Sequence, residues 1–259
     1  MKHAVRALGW ATKIFWILII AFAATAVYSA LDIQVSLGHP QPVSSNGLLV
    51  FSLPLSINNT SYYNLSELNL TATVMDDTGS TICQSITYVP LIQRGSFIAH
   101  VHNASIDLNG LVQGTPDYLL NDTVFEMNMS MTVRYASAFV FRFSENETIA
   151  WGAPLHDFSV GQVAYSPHNA THQRASVPLS FENHSSFSNV TGTIYLECFD
   201  DGAGCIGAGT ANVDVSRRAS YEGYIEAFVD STQLTGSGVL HFHFATSMFD
   251  FGPLVMRYG

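Results

Sequence analysis

The chain is predicted to be all-β, with two tandem immunoglobulin- or fibronectin-like antiparallel β-sandwiches preceded by one N-terminal transmembrane helix. Three observations lead to that expectation. An uncharged apolar run, IFWILIIAFAATAVYSAL, occupies Ile14–Leu31. A shift of 124 residues lays SLPLSINNTSYY (Ser52–Tyr63) on SVPLSFENHSSF (Ser176–Phe187) without a gap. Within both copies apolar and polar residues alternate at a period of two, the pattern of a strand with one buried face.

Residues 1–13 form a short basic tail containing Lys2, Arg6 and Lys13, the only lysines of the chain among them. All 20 acidic residues lie from Asp32 onward. That acidic remainder offers no basic surface for phosphate contacts, so no nucleic-acid partner is expected. With 47% hydrophobic and 12% aromatic residues, a disordered chain is excluded as well. Residues 14–31 are read as the anchor. About 20 apolar residues cross a bilayer, and a flanking lysine can snorkel, so the run is just long enough. Trp10 and Trp16 at one end and Tyr28 at the other suit the two interfacial belts. The basic tail then faces the cytoplasm, which makes the protein a single-pass component of the plasma membrane with the rest of the chain outside. The alternative is a cleaved signal peptide, with Ala24-Thr25-Ala26 as the small-residue cleavage site.

The repeat divides the remainder into residues 32–150 and 151–259. Its register continues through Asp76-Asp77 on Asp200-Asp201, Ile82 on Ile206, Val89 on Val213 and Ser96 on Ser220. MTVRYASAFVF (Met131–Phe141) resembles LHFHFATSMFDF (Leu240–Phe251) at a shorter offset, so the first copy carries an insertion, placed within Ser105–Asp122. Alternation marks Leu68, Leu70, Ala72 and Val74 as inward, and likewise Ile194, Leu196 and Cys198 in the second copy. Met127, Met129, Met131 and Val133 form another such run, and so do Leu240, Phe242 and Phe244. DDTGS (Asp76–Ser80) and DDGAG (Asp200–Gly204) read as hairpin turns. About seven short strands per module is the count of an immunoglobulin-like sandwich. Pro54 and Pro178, inside strand-like runs, are expected at an edge or a bulge.

Of 14 asparagines, 11 stand in Asn-x-Ser/Thr sequons: Asn58, Asn59, Asn64, Asn69, Asn103, Asn121, Asn128, Asn146, Asn169, Asn183 and Asn189. That enrichment points to a surface on which hydrated glycans replace ionised side chains. Cys198 and Cys205 flank the DDGAG turn, and a disulfide forms if they face each other directly; a register one residue off puts them on opposite faces. Cys83 is left as a small buried apolar residue. His100-x-His102 and His241-x-His243 each place two imidazoles on one strand face, a candidate for copper or zinc. The competing explanation for His241 and His243 is the polar side of a half-buried strand. His168 and His172 add a loop pair. The acidic turns could offer oxygens to calcium, but an Asx turn accounts for them. No catalytic or nucleotide-binding motif is present, so no cofactor and no enzymatic activity are expected.

The run PLSxxN-x-S-x-(Tyr/Phe), an apolar strand, a D-D-x-G-type turn and a closing Gly/Ser together resemble the water-stress and hypersensitive-response sandwich modules. That group includes the LEA14-like proteins. The arrangement is also similar to archaeal surface proteins with two such repeats behind one membrane helix. Asn59-Thr60 and Asn183-His184 stand where that family has Asn-Pro. The resemblance implies a fibronectin-like sandwich with a non-enzymatic binding or protective role, and it brings no catalytic residues. The expected function is a structural, adhesive or interaction role in the cell envelope, with the membrane, other envelope proteins or further copies of the chain as partners. Two alternatives are kept. One is a secreted filament subunit in which the strand near Asp32–Leu37 completes a neighbour's sheet. The other is an extracytoplasmic metal-binding protein using the His pairs.

Overall fold

The structure is a computed structural model describing residues 2–45, 47–201 and 204–259. Helix α1 (Lys2–Ala30) begins well before the uncharged run, since nothing ahead of Ile14 breaks a helix. Eight strands and two short helices follow: β1 (Ile33–Leu37), β2 (Gln41–Ser45), β3 (Leu48–Asn59), β4 (Leu65–Met75), β5 (Thr81–Ile92), β6 (Ser96–Asp107), α2 (Leu108–Gly114), α3 (Asp117–Leu120), β7 (Thr123–Tyr135) and β8 (Phe139–Trp151). The second set is β9 (His156–Val160), β10 (Ala164–Pro167), β11 (His172–Asn183), β12 (Val190–Asp200), β13 (Cys205–Val215), β14 (Ala219–Asp230), β15 (Gly238–Thr246) and β16 (Asp250–Tyr258). The chain is therefore all-β behind a single long helix, and its ladders are antiparallel. A shift of 124 residues carries β3 onto β11 end for end. The two helices α2 and α3 fall inside Ser105–Asp122, where the second set has only the link between β14 and β15.

Each set holds eight strands rather than seven, and proline is the reason. Pro54 lies in β3, which has β6 on one side and a broken edge on the other. β1 pairs up to Leu37 opposite Leu55, and β2 resumes with Gln41 opposite Ser52. In the gap the Gly38 N–H donates to the Pro54 carbonyl at 2.8 Å. Having no N–H of its own, proline cannot complete a ladder there, so the edge strand splits in two. Pro178 does the same between β9 and β10, accepting from the Gly161 N–H at 2.9 Å. Both prolines thus sit in inner strands at a break in the edge, a third arrangement beside the two expected.

The sets differ in how their sheets close. The first forms two four-stranded sheets, β1/β2–β3–β6 and β5–β4–β7–β8; the second forms one eight-stranded sheet. The join is a short ladder of β13 with β14, pairing Gly207 with Val229 and Gly209 with Ala227. A Cβ on Gly207 would lie 2.3 Å from the Phe228 carbonyl oxygen, and one on Gly209 2.2 Å from that of Glu226. Only glycine permits this approach. Ladder positions put Cys83 and Ser85 at the corresponding sites of β5, because Val74 faces Cys83 where Cys198 faces Gly207, and Ala72 faces Ser85 where Leu196 faces Gly209. Their side chains hold β5 and β6 apart. His102 bridges the gap from β6, with Nε2 at 2.7 Å from Ser85 Oγ and Nδ1 at 2.7 Å from Thr87 Oγ1.

Two apolar clusters result. One fills the base of the first sandwich with Leu55, Ile57, Leu65, Leu68, Leu70, Ile92, Met131, Val133 and Tyr135, and it takes in Ala26 of α1. The other runs from the upper half of that sandwich through Phe125, Trp151 and Leu155 into Phe181, Phe242 and Phe249 of the second. The modules are thus joined through a continuous apolar core.

Candidate functional site

The base of the first sandwich is where the helix and the β domain meet. Positions 22, 26 and 29 follow one helical face. Phe22 packs edge-on against Tyr63, with ring centroids 5.6 Å apart, and stacks on Phe139 at 6.2 Å. Thr25 Oγ1 lies 3.0 Å from the Tyr63 hydroxyl. Ala26 and Ser29 are fully buried, and the Ser29 hydroxyl bonds to that of Tyr135. The second module has an equivalent plug. The 124-residue shift puts Ser29 on Ala153, which is also fully buried, and neighbouring Trp151 donates from Nε1 to the Tyr118 carbonyl at 2.8 Å. In both modules the segment entering the first strand closes the base of the sandwich. Above Phe22 the helix is bare: every residue from Leu8 to Ala21 is exposed, and the stretch is apolar enough to cross a membrane. The run Asp32–Leu37, expected to be free for strand addition after cleavage, is paired with β3 of the same chain over Ile33–Leu37.

The sequons fall into three groups. Asn64, Asn103, Asn121, Asn146, Asn169 and Asn189 are exposed, while Asn58, Asn69 and Asn128 are half-buried. Asn146 stands on β8, the free edge of its sheet, where a glycan would block edge-to-edge pairing. Asn59 and Asn183 are a correction, because both are fully buried. Asn59 Nδ2 donates to the carbonyls of Tyr63, Ile92 and Gln93, at 3.0, 3.3 and 3.2 Å. Asn183 Nδ2 donates to those of Ser188, Val215 and Ser216, at 3.1, 3.3 and 3.2 Å. Each amide satisfies the ends of two loops that water cannot reach, and a sugar on Nδ2 has no room. These two are structural plugs. The clue was available: they alone among the sequons coincide under the repeat.

The cysteine and histidine readings also change. Cys198 faces Gly207, and Cys205 faces Phe199 across a register shift, so the direct pairing a disulfide needs is not the register of this hairpin. All three thiols are free. Burial, with Cys205 nearby, pushes the Cys198 thiol up to about 12, which leaves it unreactive. Residues 202–203 of the DDGAG turn lie outside the described residues. His102 is buried with both nitrogens engaged across the seam, so it cannot join His100 on a metal. His241 packs its ring on Phe199 at 4.4 Å, and His243 Nε2 lies 3.6 Å from Glu197 Oε2. That is the polar side of a half-buried strand, with no third ligand among the described residues. Asp76 Oδ1 accepts from the N–H groups of Thr78 and Ser80, at 2.9 and 2.8 Å, the expected Asx turn.

One cluster escaped the sequence reading because its members come from separate elements. Asp122 precedes β7, His156 opens β9 and His184 follows β11. His184 Nδ1 lies 2.8 Å from Asp122 Oδ2, and its Nε2 lies 2.9 Å from Glu182 Oε2. His156 stacks on His184 at 4.0 Å with the rings 17° apart. Asp122 Oδ1 also accepts the Ala153 N–H at 2.8 Å, so the group spans the junction between modules. Bonds to Asp122 and then Glu182 hold the His184 pKa above its ordinary value. Burial pushes the Asp122 carboxyl up, but the Ala153 and His184 bonds outweigh it and the net shift is downward. Ligand atoms of Asp122, His156 and His184 lie within 4.8 Å of one another. Stacked rings, however, cannot aim two in-plane lone pairs at one ion, and both His184 nitrogens already serve carboxylates. The geometry is that of an imidazolium clamp.

No family model matches the chain, and no curated protein matches it. Among solved structures it is similar to a red sea bream transglutaminase at 15% identity and a TM-score of 0.32, over 87% of this chain and 31% of that one. It is also similar to the periplasmic chaperone SfaE at 11% identity and a TM-score of 0.31, over 87% of this chain and 99% of that one. Likenesses this distant say nothing of function.

Proposed function

We propose that the protein is a single-pass, membrane-anchored surface glycoprotein, with its N-terminus cytoplasmic, both sandwiches outside, and a non-enzymatic structural or interaction role in the cell envelope. The observation that supports anchoring most directly is the division of α1. From Leu8 to Ala21 it is largely apolar and exposed, whereas Ala26 and Ala30 of its last turns belong to the core of the first sandwich. Cleavage after Ala26 would remove Ala26 from that core, together with the contacts of Phe22 and Thr25 on Tyr63 and Phe139, so retention of the helix is the reading consistent with the packing. The exposed sequons Asn103, Asn121, Asn146, Asn169 and Asn189 supply the glycan sites, and the resemblance to two-repeat surface proteins agrees with a display or binding role.

Intact and peptide mass spectrometry of the native protein tests this. The expected result is an N-terminus upstream of Ile14, glycans on several of Asn103, Asn121, Asn146, Asn169 and Asn189, and none on Asn59 or Asn183. A mature N-terminus near Val27 together with bare asparagines would overturn the reading.

A further inference from the structure

We infer that the base of the first sandwich is seated in the outer interfacial layer of the bilayer, so that lipid headgroups are a direct binding partner of the β domain. This rests on the anchored reading above and follows from a length that does not fit otherwise. A bilayer's hydrocarbon core is about 30 Å thick and takes about 20 helical residues. The apolar helix Leu8–Ala30 has 23 residues, about 34 Å at 1.5 Å per residue. Twenty residues counted from Leu8, where the apolar helix begins, end at Val27. Phe22 then lies about 7 Å inside the outer boundary, in the layer between headgroups and acyl chains. If the bilayer stopped where the sandwich begins, Leu8–Ala21 would have to cross it alone, at about 21 Å. That leaves it about 9 Å short.

Whatever touches Phe22 shares its depth. Tyr63, in the β3–β4 loop, and Phe139, at the β7–β8 turn, both pack on it. Around them the rim carries apolar residues that are left exposed among the described residues. Tyr62 is 59% exposed, Phe97 65% and Val140 51%. The ladders hold these residues at the same end, with Phe97 opposite Asn58 and Val140 opposite Arg134. Aromatic rings with a polar handle are what the headgroup layer selects. Arg94, exposed in the β5–β6 turn of this rim, is placed to reach a lipid phosphate. Continuity with a spanning helix is what makes lipid the occupant.

The test uses the full chain in phosphatidylcholine–phosphatidylglycerol vesicles. Spin labels go on Leu18→Cys, Tyr62→Cys, Phe97→Cys and Phe228→Cys, each in a Cys205→Ser background. The unlabelled-site parent corrects for any reaction at Cys83. Accessibility to oxygen is compared with accessibility to a water-soluble nickel chelate. Position 18 is expected to be lipid-facing, positions 62 and 97 to sit at interfacial depth with chelate access cut several-fold below position 228, and position 228 to be aqueous. Positions 62 and 97 as open to the chelate as 228, with 18 still in lipid, would overturn the seating and leave the anchor standing. An aqueous position 18 would remove the anchor and the seating together. Shielding of 62 and 97 from both reagents would mean that another copy of the chain covers the rim, which also overturns the lipid assignment.

Discussion

Asn59 and Asn183 show how a residue pattern can carry two chemistries. As sequons they promise sugar, yet in the fold each binds three carbonyls in a dry pocket. A buried hydrogen bond contributes about 1 kcal/mol net, and stranded carbonyls cost more, so Asn183→Ala should destabilise by roughly 2–4 kcal/mol. Asn103→Ala, at an exposed sequon, should stay within about 0.5 kcal/mol. Urea midpoints compare the two, and equal effects would refute the plug. The histidines set a pH dependence. The His184 pKa is raised above 6.5, so its stabilisation is complete below pH 6.5 and is lost as pH rises through the folded value. Asp122 is lowered below 3.8, so its share is present above pH 3.8 and is lost as acid protonates it. The junction clamp should therefore be strongest between those limits. His102 acts in the opposite direction. Burial, then the nearby His100, lowers its pKa, so its stabilisation holds above pH 6.5 and is lost as pH falls. Melting temperature against pH should tilt one way in His184→Gln and the other in His102→Gln; parallel curves would contradict both assignments.

At the level of elements, the repeat makes its own control. The same strands close by glycine contact in one copy and through a histidine bridge in the other. Gly209→Val would drive a Cβ into the Glu226 carbonyl, and backbone on both sides cannot yield, so a loss of about 3 kcal/mol or more is expected. Ser85→Gly, at the corresponding site, removes one bond to His102 and should cost about 1–2 kcal/mol. Chemical denaturation measures both, and a Gly209→Val protein as stable as the parent would show that the β13–β14 join is dispensable. None of this was legible from the aligned residues. Glycine facing serine in a weak alignment looks like drift until the ladder shows what each residue touches. The pairing of Leu70 with Met131 and of Ile194 with Phe244 likewise puts Met131 in the place of Phe244, whereas the runs alone had suggested Leu240.

For the whole molecule, the last turns of the helix are a structural part of the first sandwich. A chain beginning at Asp32 lacks Ala26 and Ser29 and leaves the Tyr135 hydroxyl without its partner. Calorimetry should show a first-module transition several degrees below that of a chain beginning at Ile19, with more binding of a hydrophobic dye; coincident transitions would mean that the plug contributes nothing. Much was decided by the sequence by itself. It determined the helix, the β class, the site of the insertion and the 124-residue repeat, because length, period and spacing are local properties that survive in any fold with the same pattern. The tertiary structure alone decided which sequons are buried, which cysteines face each other and which histidines meet across the module junction. Those depend on register, where one residue of slip turns a side chain to the opposite face, and on contacts between segments far apart in the chain.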